Sequence, residues 1–461
     1  MSDDILALSV DEVLTAYRNK TLSPVDVVAA SLRQVDLHNP TLNAMVLTAD
    51  ADSLMADARA SEARWHKGEP CGGLDGIVTT IKDGADVTGW PTREGSATLP
   101  DTPAVADSPL VANLRRAGAI FLGKTTQPEY GHKGVTDSPV FGITRNPWNT
   151  AKTTGGSSGG AGAAAATRMG WLHQGSDGGG SIRIPSSFCG CFGIKPTQGL
   201  VPAAAPGVFS KLAASGPVTR TVTESAHMLG EMTGRGRIYA DALREKHAPL
   251  RIAYAKTIND TPVHPEVAAF VAAAAKEAAA FGTVEEIDLN IPKLVETFNM
   301  HWGSIAAWLV SKFPPDMQAK MDQYLVGWGM RGRDFRMVDY MDAELERLLI
   351  IDRMQKFFEN YDVLLLPAVP VVPFDAGQNM PLGADGQPWE DWTPLTYPAN
   401  LGQLPAASLP CGVTKDGLPV GLQIVSGPFR EGMILNLAYG LEQRLGFRDW
   451  IDRGAKLQAA A

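Results

Sequence analysis

The chain has 461 residues, 44% of them hydrophobic and 20% charged, enough to bury a large core. Its net charge of −9 denies it the basic surface that phosphate binding needs, which argues against nucleic acid as a main partner. No run of about twenty apolar residues is present, the best candidate, Val363-Leu-Leu-Leu-Pro-Ala-Val-Pro, being short and broken by prolines, so no membrane span is expected.

In chain order, Ser23-Pro24 reads as an N-cap with proline at the first helical position, opening an amphipathic helix to about Asn39. Met1-Ser-Asp-Asp-Ile ahead of it lacks the basic-then-apolar order of a secretory signal, so a cytoplasmic location is expected. Residues 50–67, rich in Ala, Asp and Arg, read as a surface helix, and Gly76 to Lys82 is apolar and β-branched enough for a buried strand. Ser108-Pro109 opens a helix that Gly118 closes, and Ala119-Ile-Phe-Leu122 follows as a strand. Tyr361 to Leu366 and Val420 to Val425 also fit strands, with helices near 264–280 and 431–445. Residues 295–360 carry Trp302, Trp308, Trp328, Phe313 and several methionines at loosely helical spacing; they read as helical core, part of which could wall a pocket for bulky apolar groups. Strands alternating with helices predict an α/β layer structure with a largely buried sheet. No linker or repeat divides residues 1–461, which read as a single domain.

Several motif matches fail on context. Gly118-Ala-Ile-Phe-Leu-Gly-Lys124-Thr125 fits the phosphate-loop pattern, but its four middle residues are apolar and favour a strand over a flexible cradle. Gly327-Trp-Gly-Met-Arg-Gly332 follows a helical pattern where a dinucleotide site requires a strand. Gly155-Gly-Ser157-Ser-Gly159 fits a nucleophile elbow, yet the polar, proline-containing Asn146 to Thr154 stretch cannot supply the apolar strand that an elbow needs. His173 reads as a structural histidine. Cys71, Cys189, Cys191 and Cys411 make no disulfide framework, and Cys189-x-Cys191 has a poor spacing for zinc, so no metal is expected.

Three local sequences remain. Lys82 ends the apolar stretch Gly76-Ile-Val-Thr-Thr-Ile-Lys82, a position where lost hydration would lower a lysine pKa and free the amine to act as a base. Asp83 could oppose that shift if it pairs with Lys82. Ser157 lies in Thr154-Gly-Gly-Ser157-Ser158-Gly-Gly, and Ser181 in Gly175-Ser-Asp-Gly-Gly-Gly-Ser181-Ile-Arg-Ile-Pro185. The side-chain-free run Gly178-Gly179-Gly180 lets successive backbone N–H groups turn toward one point, a nest for negative charge.

At these residues, through Cys189-Gly-Cys-Phe-Gly-Ile-Lys-Pro-Thr197 and more weakly from about residue 8 to Gly417-Leu-Pro-Val-Gly-Leu-Gln423, the chain resembles the amidase signature family. The resemblance implies a large mixed central β-sheet flanked by α-helices on both faces. It also implies a Ser–cis-Ser–Lys triad in which Ser181 is the nucleophile, Ser157, after a cis Gly156–Ser157 bond, relays the proton, and Lys82 is the final base. Gly178, Gly179, Gly180 and Ser181 would supply N–H donors to an oxyanion hole. Many members carry Thr or Ile where Gly178 stands, but glycine keeps the N–H. Ser158 would support the site, and Asp177 and Arg183, flanking the hole, would brace its loop. The implied activity is hydrolysis of a carbon–nitrogen bond through an acyl-Ser181 intermediate, with no metal or organic cofactor. The leading expectation is a free-standing amidase, monomer or homodimer, acting on small or aromatic amides, with esters and carbamates open to the same chemistry. The alternatives are the glutamine-hydrolysing component of a tRNA-dependent amidotransferase and a non-catalytic binding protein that keeps the fold.

Overall fold

The computed structural model describes residues 2–203 and 209–446. Eleven strands form one mixed sheet. In chain order they are β1 (Met45–Thr48), β2 (Val78–Lys82), β3 (Ile120–Thr125), β4 (Leu172–Asp177), β5 (Phe192–Lys195) and β6 (Ala214–Thr219), then β7 (Leu250–Ile258), β8 (Gly282–Leu289), β9 (Val363–Pro367), β10 (Ala406–Val413) and β11 (Pro419–Ser426). Their spatial order is β1-β3-β2-β4-β6-β5-β10-β11-β9-β7-β8. Two parallel groups, β3-β2-β4 and β9-β7-β8, are joined by an antiparallel centre.

Side chains alternate across a strand, and here the two alternating sets build two cores. Ile252, Tyr254, Val363, Leu365, Leu422 and Ile424 point into one; Ala253, Ala255, Leu364, Leu366 and Val425 point into the other. The first core is covered by helices such as Val222–Met232, Pro265–Glu277 and Glu431–Leu445. The second is covered by residues of Leu294–Val310 and Met337–Asn360. Helices therefore lie on both faces. The outer strand β8 exposes Glu285, Glu286 and Asp288, charges that discourage pairing with another edge.

The elements read from sequence recur with shifted ends. The Ser23 cap does open a helix, Pro24–Leu42, through a capping box with Asp26. The phosphate-loop look-alike is strand β3, with Lys124 buried and donating to Pro91 O at 2.7 Å, and Gly327–Gly332 lies on a helix. Among the described residues no helix is long and apolar enough to cross a membrane.

Five helices matter for the site: α1 (Gly159–Ala166), α2 (Arg183–Cys189), α3 (Leu294–Val310), α4 (Gln323–Arg333) and α5 (Met337–Asn360). Because β2 and β4 are parallel neighbours, Thr79 opposite Leu172 and Thr80 opposite His173, their carboxyl ends emerge side by side. Lys82 ends the first and Asp177 the second, and α1 and α2 start just beyond Ser158 and Ser181. The carboxyl edge of parallel strands is where α/β sheets place their sites.

Candidate active site

Lys82 is the last residue of a strand whose five residues are all buried. Its Nζ lies 2.7 Å from Ser157 Oγ, 2.9 Å from Ser158 Oγ and 3.0 Å from Ser176 Oγ. Among the described residues no carboxylate pairs with it. Desolvation lowers its pKa to about 7, and the more remote Asp177 and Glu94 only partly oppose this. Asp83, which could have paired with Lys82, turns away: its carboxylate takes the backbone N–H groups of Arg93 and Gly95 and lies 3.6 Å from Lys124.

The Gly156–Ser157 bond is cis. Gly156 packs so tightly against the backbone of Val135 that a Cβ there would overlap it. Ser158 ties the two serine segments together, its N–H donating to Ser181 O at 3.1 Å and its hydroxyl to Ser176 O at 3.1 Å. Ser176, whose hydroxyl lies within hydrogen-bond distance of Lys82 Nζ alongside those of Ser157 and Ser158, carried no sequence signal beyond its place in the glycine-rich stretch.

Asp177 and Arg183 are both fully buried. Every guanidinium N–H of Arg183 has an acceptor: Nε and one N–H of Nη2 go to Asp177 (2.9 Å each), and the rest go to Asn400 Oδ1 (2.6 Å), Gln423 Oε1 (2.6 Å) and Thr396 O (2.9 Å). Held this way, and despite the cost of burial, the Asp177 carboxyl stays well below the ordinary carboxylate range. Its two oxygens also accept the N–H groups of Gly180 (2.8 Å) and Ile182 (3.2 Å). The Gly180 N–H, one of the four backbone donors expected of the glycine run, thus serves the loop and faces Asp177. Gly180 itself has φ +118°, a conformation that needs glycine.

Ser181 lines a cleft walled by aromatic rings from α3 and α4, namely Phe298, Trp302, Tyr324 and Trp328. Phe298 stacks on Tyr397 with centroids 3.7 Å apart, and Trp302 stacks on Phe298 at 5.4 Å. Phe298 also presses on the glycine loop, its Cζ 2.6 Å from where a Gly179 Cβ would stand. Trp302 Nε1 donates to His132 O at 3.0 Å. Not all of the Trp- and Met-rich segment faces the cleft: Trp308 and Met330 are about half exposed at 47% and 50%. The remaining wall comes from His132, Lys133 and the stretch Asn379 to Tyr397, which sequence reasoning did not single out. His173 lies apart from the cleft, fully buried on β4 with Nδ1 2.8 Å from Thr80 Oγ1. Cys189 and Cys191 are buried and unbridged.

The family model Amidase matches residues 26–435. The chain is 34% identical to an acylamidase of Rhodococcus erythropolis over 473 residues, covering 97% of this chain and 96% of that protein. It is 32% identical to an indoleacetamide hydrolase of Bradyrhizobium diazoefficiens, covering 94% and 86%. A glutamyl-tRNA(Gln) amidotransferase component from Moorella thermoacetica is 31% identical, with coverage of 95% and 97%. In structure the chain is similar to a bacterial aryl acylamidase described as one of the amidase signature enzymes, with a TM-score of 0.87, 28% identity, and coverage of 97% of this chain and 98% of that one. From sheet, sequence and relatives together, the chain belongs to the amidase signature family, enzymes that act on amides.

Proposed function

We propose that this chain is a free-standing amidase that cleaves small or aromatic amides through an acyl-Ser181 intermediate. The observation that carries the reading is the fully buried Lys82 amine, pKa lowered to about 7, 2.7 Å from the Ser157 hydroxyl. A serine hydroxyl is a weak nucleophile until a base takes its proton, and a lysine is a base only when neutral. In the proposed first step Ser181 Oγ bonds to the substrate carbonyl carbon while its proton passes to Ser157 Oγ and the Ser157 proton passes to Lys82 Nζ. The tetrahedral oxyanion is held by the N–H groups of Gly178, Gly179 and Ser181, each such donor being worth about 2.7–4 kcal/mol in comparable sites. Collapse breaks the carbon–nitrogen bond, and the proton returns through Ser157 to the departing amine. Water then cleaves the acyl-serine by the same relay. Ser158 and Ser176 orient the lysine, and Asp177 and Arg183 brace the loop.

Esters and carbamates pass through the same tetrahedral chemistry and belong in the substrate range to be tested. The aromatic wall favours aryl amides over glutamine, which is why the amidase is preferred to the second reading. That reading, the glutamine-hydrolysing component of an amidotransferase, has the near-equal identity of such proteins in its favour.

The test is hydrolysis by the purified chain alone of glutamine, simple carboxamides, anilides, aryl esters and carbamates, with Ser181→Ala alongside. Turnover of a non-glutamine amide, lost by about 10³-fold or more in Ser181→Ala, is the expected result. Glutamine turnover alone, or silence while a serine-directed phosphonate still labels Ser181, would favour the amidotransferase component. Full activity in Ser181→Ala would overturn the assignment of the nucleophile.

A further inference from the structure

The charged groups around the cleft do not cancel. Lys133, Glu390 and Asp391 line it together with Ser181. The Lys133 ammonium is already committed: its Nζ lies 2.5 Å from Asp137 Oδ1 and 2.7 Å from Asp322 Oδ2, and it donates to Asn379 Oδ1 at 2.9 Å. Those three acceptors match its three N–H bonds. Glu390 is matched as well, its two oxygens taking the Arg331 guanidinium at 2.7 and 2.9 Å. Asp391 is different. Its Oδ1 accepts from Asn299 Nδ2 at 2.8 Å, and among the described residues no cation lies within ion-pair distance of it. Two cations thus face four carboxylates, and the cleft carries a net negative field.

The bond between Asn299 and Asp391 also fixes what the two residues offer. A carboxylate only accepts, so the Asn299 amide turns its NH2 toward Asp391 and keeps its Oδ1 on the other side. Asn299 Oδ1 and Asp391 Oδ2 have no hydrogen-bond partner among the described residues, yet neither atom is sealed from solvent. Both residues are half-buried and line the cleft. Two accessible acceptors, one of them charged, therefore stand in the same wall system as Ser181, with no free side-chain cation to meet them.

The aromatic part of the wall suits a cation too. Arg331 lies over the Trp328 ring at 4.0 Å from its centroid, so the wall already holds one cation against a π face. Trp302 and Tyr324 present further rings to the cleft. An aryl amide carrying an ammonium group would set its ring against these rings and its charge against Asp391. Displacing water from the pair lowers the local dielectric and strengthens it. Glutamine would bring a carboxylate as well, for which Lys133 and Arg331, both already paired, leave no free cation.

We propose that Asp391 is a specificity-determining residue: with Asn299 it receives a protonated amine on the substrate, so that aromatic amides bearing a cationic amino group are the favoured substrates. The proposal rests on the reading of the Ser181 cleft as the substrate site.

It is tested with acetanilide and phenylacetamide, each as its para-aminomethyl, hydroxymethyl, ethyl and carboxyl derivatives, just above neutral pH and at low ionic strength. In at least one series the wild type should favour the aminomethyl compound over the two neutral ones in kcat/KM by about 10- to 100-fold. Added salt should erode that preference, and the carboxyl compound should be the poorest substrate. Asp391→Asn removes the charge while keeping the size and an acceptor for Asn299, so the ratio should collapse toward one; Asp391→Glu should restore part of it. Absolute rates are free to change in either variant, because the residue lines the cleft, and the ratio is the readout. A wild type indifferent to the amine, or a preference that survives in a folded Asp391→Asn, would overturn the proposal. So would an equal loss on charged and neutral substrates, which is what a merely structural bond between Asn299 and Asp391 predicts. Melting curves establish folding, and Asp391→Ser is read in place of an Asp391→Asn that does not fold. Calorimetry with benzylamine and benzyl alcohol, which hold no amide, gives a readout that does not pass through Ser181. Tighter binding of benzylamine, lost in Asp391→Asn, supports the amine site even beside an active Ser181→Ala. An inactive Ser181→Ala beside equal benzylamine Kd values for wild type and Asp391→Asn removes only the role of Asp391.

Discussion

Lys82 meets three hydroxyls and, among the described residues, no carboxylate, which is the electrostatic condition for a neutral amine. The sign of its pH dependence follows. With the pKa lowered to about 7, the amine is neutral above that value and protonated below it, so kcat/KM should fall through about pH 7 as the solution is made more acid. A pH–rate profile on a substrate without ionisable groups checks this, and a flat profile down to about pH 5 would exclude lysine as the base. Lys82→Ala should lower kcat by about 10²- to 10⁴-fold while leaving the fold intact by circular dichroism. The sequence placed Lys82 at the end of an apolar strand and so made its burial foreseeable. The direction taken by Asp83 was not foreseeable, because it depends on Lys124 and on the backbone of Arg93 and Gly95, which only folding brings to it.

At the scale of elements, α4 supplies Tyr324 and Trp328, and α3 delivers the other half of the aromatic wall. Its residues Phe298 and Trp302 are one helical turn apart and share a face, stacking on each other and, through Phe298, on Tyr397. Trp302→Ala should lower kcat/KM for aryl amides by about 10-fold or more relative to small aliphatic amides. Equal changes across the two classes would remove α3 as a determinant of specificity. The helical character of residues 295–360 could be read from spacing, and the structure resolves it into α3, α4 and α5 with a short turn of helix at Pro315–Gln318. Which aromatic faces the cleft could not be read. Trp302 and Trp308 are chemically alike, and one lines the cleft while the other is about half exposed because of what packs beside each. Strands β1, β4, β5, β6, β7, β8 and β10 were not read from the sequence; in two of them the reason is plain, since β6 contains Gly216 and Pro217 and β8 interrupts its apolar residues with Glu285, Glu286 and Asp288, so neither has a continuous apolar run.

Across the whole molecule, Arg183 ties the loop after β4 to β11 through Gln423 and to the 396–400 turn through Thr396 and Asn400. Removing it leaves the Asp177 carboxylate buried without a cation. Arg183→Ala should therefore cost about 3–5 kcal/mol at neutral pH, read by chemical denaturation. The sign with pH is set by Asp177, whose folded pKa is depressed: the stability it brings is present above its unfolded value of 3.8 and lost as pH falls through the folded value. The penalty of Arg183→Ala should accordingly shrink in acid, where Asp177 can take up a proton. A loss under about 1 kcal/mol at neutral pH would mean that the network does not hold the loop.

The sequence by itself determined the α/β class, the buried strand ending in Lys82 and the glycine-rich settings of Ser157 and Ser181. Each of these is written in contiguous residues whose burial or backbone freedom is a local property. Tertiary structure decided what depends on distant segments meeting: Ser176 beside Lys82, and the network of Arg183 with Asn400 and Gln423. It also decided the cleft, whose wall draws on His132, α3, α4 and the stretch from Asn379 to Tyr397. Local pattern records which face of an element is apolar, and it carries no record of which distant element will cover that face.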